Sequence, residues 1–428
     1  MREMKDSRVE WIGEIPVDWE VSTIKHEYAF QTGWTPDTTH EEYFTGKNIW
    51  INISDMKSKV VFDSEKHISD EAIQLASMNI SPKGSLLYAF KLSVGAVSFC
   101  GIDMYTNEAI ATFLPGKNNL RFLYYMAPIF IIKNANENIY GAKLLNQKLI
   151  RNAKIVIPPL NVQERIADYL DRKCSPIDAI IARQQKVIET LKASRLSVIT
   201  EAVTKGLNPD VPMKDSGIDF IGSIPETWRI CRLRNIGTLQ NGISKGGEFF
   251  GHGFPFVSYG DVYRNFSLPV QVTGLIDSSD EERRNYSVEA GDIFFTRTSE
   301  TIEEVGFSSV CEETIPDATF AGFLIRVRPF TDDLVPKFAK YYFRSNHHRY
   351  YLVKQMNLVT RASLGQDLLK SMPVLVPPKD EQISIAAYLD KKCGAIESSI
   401  EYKQRVIERL TAYKKSLIYE VVTGKKAV

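Results

Sequence analysis

The sequence predicts an α+β protein that contains two copies of one plan. Each copy has a globular domain of mixed sheet and helix, and two long antiparallel helices forming a coiled coil separate the two domains. Two observations support this prediction. Segments of the 428-residue chain repeat at a nearly constant spacing, and each copy ends in a long stretch of helical apolar periodicity. The duplication implies a pseudo-two-fold internal repeat.

Two blocks of sequence recur in the chain. Residues 4–19 read MKDSRVEWIGEIPVDW and residues 213–228 read MKDSGIDFIGSIPETW, identical at nine of sixteen positions. Residues 163–174 (QERIADYLDRKC) and 382–393 (QISIAAYLDKKC) are identical at eight of twelve positions. Chance does not produce such matches, so the chain is an internal duplication.

The segments between the blocks, residues 34–140 and 243–359, share only faint landmarks. These landmarks are Gly84-Ser-Leu-Leu-Tyr beside Gly291-Asp-Ile-Phe-Phe and Tyr124-Tyr125 beside Tyr341-Tyr342; just before the segments, the N-terminal match continues weakly to Thr32-Gly33 and Asn241-Gly242. The two copies therefore share their ends and differ in what lies between them.

The divergent segments have the composition of strands with intervening helices. Runs rich in β-branched and aromatic residues predict strands at residues 48–53, 85–90, 254–259, 292–296 and 323–328. Helical patterns occupy residues 120–129 and 336–344. A last strand is predicted at residues 155–157 and at 374–376, because each run meets a Pro-Pro pair, which cannot donate to a sheet.

The C-terminal regions that the two copies share are predicted to be helical. Asn161 and Asp380 are predicted N-caps, each followed by a short helix. Ser175-Pro176 then predicts the start of a new, long helix that runs to about Lys205. A heptad seam is predicted at Ile177, Ile180, Val187, Leu191, Val198 and Ala202, and in the second copy at Ile396, Ile400, Ile407, Leu410, Leu417 and Val421.

These patterns predict four segments. The globular domains span residues 1–160 and 206–378, and the helical regions span 161–205 and 379–428. Pairing of the two helices with each other is the favoured interpretation; docking of each helix on a partner protein is the alternative.

Composition and charge narrow the class of protein. The chain has 53 Lys+Arg against 52 Asp+Glu and a net charge of +1, so any basic surface has to be local. No apolar stretch is long enough to cross a membrane, and the first residues lack the apolar core of a signal peptide, so we expect a cytoplasmic protein. The five cysteines are spread widely and form no metal or disulfide pattern.

No catalytic motif is found in the sequence. The chain has no phosphate-binding loop, no His-Glu-x-x-His and no Gly-x-Ser-x-Gly. The pair His347-His348 lies in a basic and aromatic segment, residues 341–351, which is typical either of a nucleic-acid surface or of a helix that packs its tyrosines into the domain. A metal site there is not expected, because adjacent side chains of a helix point in different directions.

The repeated motifs resemble those of a known family. Lys-Asp-Ser-Gly-Ile-Asp-Phe-Ile-Gly-Ser-Ile-Pro-x-x-Trp with its first copy, Pro-Pro-x-x-x-Gln followed by Ile-Ala-x-Tyr-Leu-Asp, and helix ends reading Glu-Ala-Val-Thr and Glu-Val-Val-Thr resemble the specificity subunits of type I restriction–modification systems. The resemblance covers the whole chain. A specificity chain of a related type II system would share these motifs.

The resemblance implies a non-catalytic DNA-binding subunit. Each globular domain would be a target recognition domain that reads one half of a bipartite sequence in double-stranded DNA, and the helices would set the gap between the halves. The implied partners are two modification (methyltransferase) subunits and two restriction (translocase/endonuclease) subunits. No cofactor is expected on this chain; S-adenosylmethionine, ATP and Mg are expected on the partners. Because the two domains differ in sequence, the target should be asymmetric.

The resemblance places DNA recognition on loops of the variable domains. By position we expect DNA contacts from Trp34, Thr35, Lys91, Ser93 and Lys143 in the first domain, and from Lys245, Arg297, Thr298, Ser299 and Arg361 in the second. Two other classes of function stay open at this point: an architectural helical scaffold that binds proteins rather than DNA, and an enzyme whose active site carries none of these motifs.

Overall fold

A computed structural model describes residues 2–91, 93–137, 143–299, 305–355 and 362–428 of the chain. It forms two compact units. The first comprises Met1–Gln184 and Arg405–Val428, and the second comprises Gln185–Gln404. Each unit thus contains one strand-rich domain together with parts of both long helices.

The first unit is built on a five-stranded sheet. The strands of the whole unit are β1 (Met4–Asp6), β2 (Glu14–Pro16), β3 (Glu20–Thr23), β4 (Phe30–Thr32), β5 (Asn48–Ile51), β6 (Val60–Val61), β7 (His67–Ile68), β8 (Leu86–Ala89), β9 (Val97–Cys100), β10 (Tyr105–Thr106), β11 (Ile110–Phe113), β12 (Asn136–Glu137), β13 (Lys143–Leu144) and β14 (Lys154–Ile157). Its helices are α1 (Ile24–Glu27), α2 (Asp70–Ala76), α3 (Leu120–Phe130), α4 (Gln147–Arg151), the first part of α5 (Leu160–Lys205) and the last part of α11 (Lys379–Val422). The main sheet has the order β4-β11-β8-β9-β6, and β10-β5-β7 form a second sheet.

The second unit repeats the central part of this sheet. Its strands are β15 (Met213–Asp215), β16 (Ser223–Pro225), β17 (Arg229–Arg232), β18 (Gly237–Asn241), β19 (Phe250–Val257), β20 (Leu275–Ile276), β21 (Ile293–Thr296), β22 (Thr298–Ser299), β23 (Ser308–Val310), β24 (Thr319–Phe320), β25 (Leu324–Pro329), β26 (Ala362–Ser363) and β27 (Pro373–Val376). Its helices are the last part of α5, α6 (Tyr259–Arg264), α7 (Asp280–Asn285), α8 (Pro336–Tyr342), α9 (Asn346–Gln355), α10 (Gln366–Ser371) and the first part of α11 (Lys379–Val422). The main sheet has the order β18-β25-β21-β23.

The predicted α+β class and the internal duplication are confirmed by these elements. The strand order β4-β11-β8-β9 of the first unit recurs as β18-β25-β21-β23 in the second, and neighbours in both series are antiparallel. The predicted strands lie on β5, β8, β19, β21 and β25, and the two predicted last strands lie on β14 and β27. Each last strand pairs with the strand that follows the repeated N-terminal motif, β3 or β17.

The repeated N-terminal motif forms a β-hairpin that ends beside a buried tryptophan. Strands β1 and β2 pair with Met4 opposite Pro16, and β15 and β16 pair in the same register with Met213 opposite Pro225. Trp19 and Trp228 follow the two hairpins, and both are fully buried. The identical residues of this motif are therefore explained by the packing of the hairpin and its tryptophan.

Each long helix ends in a glycine that lies against one of these tryptophans. Gly206 (φ 76°) follows α5 and Gly424 (φ 74°) follows α11, and both adopt the left-handed conformation that commonly ends a helix. A Cβ added at Gly206 would lie 3.5 Å from the Trp228 ring, and one at Gly424 would lie 3.1 Å from the Trp19 ring. The helix that leaves one copy thus ends against the hairpin of the other.

The helices are continuous, so the predicted break at Ser175-Pro176 is wrong. Pro176 lies inside the 46-residue helix α5. A proline removes the bond to the carbonyl four residues earlier, here that of Arg172. Both Pro176 and Arg172 are exposed, so water can solvate the carbonyl and the helix continues.

The predicted N-caps are also displaced by two residues. The backbone N–H of Val162 donates to the Pro159 carbonyl at 2.8 Å, and that of Glu381 donates to the Pro378 carbonyl at 3.0 Å. The second proline of each pair, Pro159 or Pro378, is therefore the N-cap, the helices begin at Leu160 and Lys379, and Asn161 and Asp380 lie in the first turn.

The two long helices pair in antiparallel orientation, as predicted. In the first unit Lys414 Nζ lies 2.6 Å from Asp178 Oδ1, and in the second unit Arg195 pairs with Glu397. The two ion pairs lie seventeen residues apart on both helices but in opposite order along the chain.

The seam of α5 differs from the prediction in its register. Ile180 was predicted in the seam but is 44% exposed, whereas Ile188 and Ile199 are buried in place of Val187 and Val198. The buried positions 177, 188 and 199 are spaced by eleven residues, because a helix of 3.6 residues per turn drifts away from a strict heptad. In α11 the predicted Ile400, Leu417 and Val421 are buried, which confirms that part of the seam.

No helix within the described ranges is long and apolar enough to span a lipid bilayer.

The two buried tryptophans differ in one hydrogen bond. Trp228 Nε1 donates to Glu381 Oε2 at 2.9 Å, whereas Trp19 Nε1 has no partner among the described residues. Val162 occupies the position in the first copy that Glu381 occupies in the second, and valine has no acceptor.

We expect Trp228→Phe to destabilise the protein more than its matched control Trp19→Phe, by about 1 kcal/mol, because only the former removes a hydrogen bond. Urea unfolding of the two variants, followed by circular dichroism, measures this difference. Equal losses would show that the Trp228–Glu381 bond contributes nothing to stability.

Candidate functional site

The end of strand β4 in the first unit is fixed by a close backbone contact. A Cβ at Gly33 would lie 1.7 Å from the Thr106 carbonyl oxygen, so only glycine fits there. The next residue, Trp34, donates its backbone N–H to that carbonyl at 3.0 Å, and its own carbonyl accepts from Trp50 Nε1 at 2.9 Å. The loop after β4 is thereby held in one position.

Three polar side chains meet at this strand end. Thr35 Oγ1 donates to Glu108 Oε2, and Lys91 Nζ lies 3.4 Å from Glu108 Oε1. The side chains of Lys91 and Glu108 are 49% and 45% exposed. We call Trp34, Thr35, Lys91 and Glu108 the first strand-end patch. It brings together three of the predicted site residues and adds Glu108, which sequence reasoning missed.

Glu108 is ionised at neutral pH. Burial raises the pKa of its carboxyl group, but the hydrogen bond from Thr35 and the neighbouring Lys91 offset this and hold the pKa below the ordinary value of 4.5. The patch therefore presents a hydrogen-bond acceptor, the carboxylate, directly beside a donor, the ammonium group.

The second unit has the same backbone arrangement at the end of β18. A Cβ at Gly242 would lie 2.2 Å from the Phe320 carbonyl oxygen, and that carbonyl accepts from the backbone N–H of Ile243 at 2.9 Å. Gly242, Ile243 and Phe320 are therefore equivalent to Gly33, Trp34 and Thr106.

A second backbone contact completes the equivalence. The Phe90 N–H donates to the Ala109 carbonyl at 3.0 Å in the first unit, and the Arg297 N–H donates to the Phe323 carbonyl at 2.9 Å in the second. Phe323 is therefore equivalent to Ala109. The residue before each, Gly322 in the second unit and Glu108 in the first, is equivalent in turn.

The side chains at the second strand end differ from those at the first. Arg297 is half-buried, and its guanidinium has no hydrogen-bond or ion-pair partner within the described ranges. Phe323 is 63% exposed and Ser244 is exposed. Thr298 is opposite Ser363 in the β22–β26 pair. We call Ser244, Arg297, Thr298 and Phe323 the second strand-end patch.

A matching amide contact borders both patches. Gln147 Nε2 donates to Thr32 Oγ1 at 2.9 Å, and Gln366 Nε2 donates to Asn241 Oδ1 at 3.0 Å. Gln147 and Gln366 begin α4 and α10, so the segment before the last strand is held to the same strand end in both units.

Residues 16–190 and 225–409 match the family of the type I restriction modification DNA specificity domain. The chain belongs to this family. Each of the two matched specificity domains contains one strand-end patch and most of one long helix.

Related proteins are specificity subunits by name. The chain is 26% identical over 438 residues to the putative type I restriction enzyme MjaX specificity subunit of Methanocaldococcus jannaschii, covering 97% of this chain and 95% of that one. It is 24% identical over 361 residues to the EcoBI specificity subunit of Escherichia coli, covering 80% and 75%. The match to the MjaIX specificity subunit of M. jannaschii is 26% identical and spans 54% of each chain.

A solved structure shares the fold. A chain from a structure on complex assembly and conformational transition of the type I R-M system superposes with a TM-score of 0.67 at 14% identity, covering 96% of this chain and 99% of that one.

The other predicted contact residues of the first specificity domain lie outside its patch. Ser93 is exposed and adopts a left-handed conformation (φ 46°) in the turn after Lys91. Lys143 begins β13, where it is exposed and pairs with Glu137. DNA contact by any of the predicted residues stays a prediction.

In the second specificity domain, Ser299 lies on β22 opposite Ala362, and Arg361 lies outside the described residues. Lys245 is 17% exposed, and its Nζ donates to Glu282 Oε2 and to the Asp277 carbonyl, both at 2.7 Å. This lysine ties two loops together rather than projecting from the surface.

The segment 341–351 packs largely into the second domain. Tyr341, Tyr342 and His348 are buried, and burial lowers the pKa of His348 to about 3. The buried side chains of this segment therefore support the interpretation that it packs into the domain. Across the described part of the chain, no group of three or more His, Cys, Asp or Glu side chains could hold a metal ion.

We expect Lys245→Met to destabilise the protein by about 1–2 kcal/mol, because it leaves Glu282 and the Asp277 carbonyl without their charged donor. The matched control Lys91→Met should cost less than about 0.5 kcal/mol, because that ion pair is exposed. Denaturant unfolding measures both.

The effect of Lys245→Met should depend on pH. The hydrogen bond from Lys245 lowers the pKa of Glu282 below 4.5, so its stabilisation is present above that value and is lost as the pH falls through the lowered pKa. A difference between wild type and variant that stays constant from pH 7 to pH 3 would contradict this account.

Proposed function

We propose that this chain is the non-catalytic specificity subunit of a type I restriction–modification enzyme, and that each globular domain reads one half of an asymmetric bipartite DNA target. The observation that carries the proposal is the pair of strand-end patches. They lie at equivalent strand ends in two copies of one sheet, where Thr35 and Lys91 correspond to Ser244 and Thr298, and their side chains differ. Equivalent surfaces with different side chains suit the reading of two different half-sites.

The chemistry of the patches suits base recognition better than phosphate binding alone. Phosphate contacts give affinity without sequence information, whereas hydrogen bonds to base edges give specificity. An ionised carboxylate such as Glu108 is repelled by phosphates, but it can accept from a base amine. A patch that combines Glu108 with Lys91 is therefore suited to base edges.

The long helices would set the gap between the half-sites and dock the modification subunits. Helix α5 has 46 residues and is ~69 Å long at about 1.5 Å per residue. The helical regions 161–205 and 379–428 together hold 18 basic and 13 acidic side chains. This local excess of positive charge suits a surface that approaches DNA or an acidic partner.

The chemistry of the complex would come from partner subunits. Two modification subunits would carry S-adenosylmethionine and the methyltransferase site, and two restriction subunits would carry ATP and Mg; this chain would hold no cofactor itself. The membership of the family supports these assignments. The complex would work in the cytoplasm, where it meets DNA.

Methylome sequencing tests the proposal. Cells that carry this chain and the modification subunits of its system should show one split, asymmetric methylated motif, and deletion of this chain should abolish it. Binding of the purified complex to duplex DNA should weaken steeply with salt, because phosphate contacts release counterions. A scaffold that binds only proteins would give neither result.

An unsplit motif would show that the two domains do not read separate half-sites, and a symmetric split motif would contradict the proposed asymmetry. A chain of a related type II system would give the same split motif without ATP-dependent cleavage, so a cleavage assay of the complete complex separates the two alternatives.

Replacement of residues 34–140 by the equivalent segment of another specificity chain should change one half of the methylated motif and leave the other half and the gap unchanged. The first patch and the backbone contacts of Trp34 with Thr106 and Trp50 lie inside this segment, and Gly33 lies just before it. The motif of the chimera, compared with that of the reciprocal exchange of residues 243–359, measures the effect. A change in both halves would contradict separate reading by the two domains.

A further inference from the structure

We propose that the two strand-end patches are the base-reading surfaces, that Glu108 and Lys91 together read a C·G base pair in the major groove, and that Arg297 reads guanine in the other half-site. This inference rests on the proposed function. It assigns a role to Glu108, and it names the base pair that each patch would accept.

The first argument is that the sheet does not need the side chains of the patches. The backbone contacts of Gly33 and Trp34 recur at Gly242 and Ile243 with nearly the same lengths. The Glu108–Lys91 ion pair has no counterpart in the second unit, where the equivalent of Glu108 is Gly322. The ion pair is therefore not required by the fold, and at about half exposure it adds little to stability.

The second argument is the match between the first patch and a C·G pair. Cytosine offers its N4 amine in the major groove, and guanine offers O6 and N7 as acceptors. N4 and O6 are hydrogen-bonded to each other and so lie about 2.9 Å apart. Glu108 Oε1 and Lys91 Nζ are 3.4 Å apart, so an acceptor and a donor are spaced to meet that amine and that oxygen together.

Thr35 orients the carboxylate for this contact. Its hydroxyl occupies Oε2 of Glu108 and leaves Oε1 on the side of Lys91. Thr35 is thus a positioning residue, whereas Glu108 and Lys91 would touch the bases.

An A·T pair fits the first patch less well. In that pair the adenine amine lies between two acceptors, adenine N7 and thymine O4, and the thymine methyl group follows O4. Lys91 would meet one acceptor instead of the adjacent O6 and N7 of guanine, and the ion pair would face an apolar methyl group. The first patch therefore selects C·G.

The second patch lacks an acid and has a different selectivity. A Cβ at Gly322 would lie 2.2 Å from Ser244 Oγ, so a side chain there would displace Ser244. Arg297, whose guanidinium has no partner within the described ranges, is the donor of this patch, and arginine pairs in a bidentate manner with O6 and N7 of guanine. Phe323 is 63% exposed and provides an apolar surface that a thymine methyl group can contact.

The test uses the complex of the full-length chain with the modification subunits of its system. Glu108→Gln keeps the size of the side chain and replaces an acceptor with an amide that pairs with adenine N6 and N7. Binding selection from randomised duplexes should show one base pair of one half-site change from C·G towards A·T, with discrimination shifted roughly 5- to 150-fold. Glu65→Gln, at an exposed carboxylate of the same unit, is the matched control and should leave the motif unchanged.

Two further variants complete the design. Lys91→Met should relax the same base pair as Glu108→Gln, because the two side chains read one pair. Arg297→Ala should relax one guanine in the other half-site only. Circular dichroism and assembly with the modification subunits verify that each variant is folded.

The outcomes separate this inference from the proposed function. Failure of the wild-type complex to select any split motif would overturn the proposed function. A normal wild-type motif that Glu108→Gln leaves unchanged would overturn the base-reading role of the first patch alone, as would an equal loss of affinity on all sequences, which is the signature of a phosphate contact. Relaxation of different half-sites by Glu108→Gln and Lys91→Met would exclude a shared base pair.

Discussion

The packing of each long helix's last turn against the hairpin tryptophan of the other copy is the contact on which the architecture depends. Gly206 and Gly424 adopt positive φ angles. A Cβ at Gly424 would lie 3.1 Å from the Trp19 ring and 2.5 Å from Pro16, and one at Gly206 would be in van der Waals contact with the Trp228 ring and 2.7 Å from Glu381 Oε1. Each helix is also anchored in the domain that it leaves and is paired with the other long helix, and this contact adds a fixed position for its last turn. The last turn of each helix is thereby fixed by buried apolar packing, which is non-directional and is not screened by salt as ion pairs are.

At the strand ends, the backbone is fixed in the same way in both units, whereas the side chains differ. Gly33 and Gly242 allow a backbone approach that no other residue permits, and the hydrogen bonds that follow them are nearly identical in the two units. The side chain at the neighbouring position is not dictated by the sheet, since one copy has Glu108 where the other has Gly322. A protein that must keep its fold while changing its binding preference benefits from this arrangement, because substitutions at the patch do not disturb the core.

Much of this fold could be predicted from the sequence, because its strongest signal was repetition. Identical residues mark the hairpins, the buried tryptophans and the helices, and apolar runs mark the central strands. Local signals were less reliable. Pro176 predicted a helix break, but the helix continues because water can solvate the carbonyl that the proline leaves without a donor. The buried positions of α5 also depart from the predicted heptad. The tyrosine landmark was shifted by one residue: Tyr125 and Tyr341, not Tyr124 and Tyr341, are equivalent, since they donate to Asp171 and Asp390 at matching positions of the long helices.

The patch residues were harder to predict, because long-range backbone pairing creates the patches. Glu108 and its equivalent Gly322 follow segments of different length in the two copies, so no alignment of the divergent segments places them together. Lys245 looked like an exposed loop lysine but is held by Glu282 and a carbonyl. Charge alone cannot tell such a lysine from one that binds a ligand; the difference lies in whether the protein already supplies its partners. Arg297 and Lys245 are both cations near the β18 strand end, and by that criterion Arg297 is the one suited to recognition.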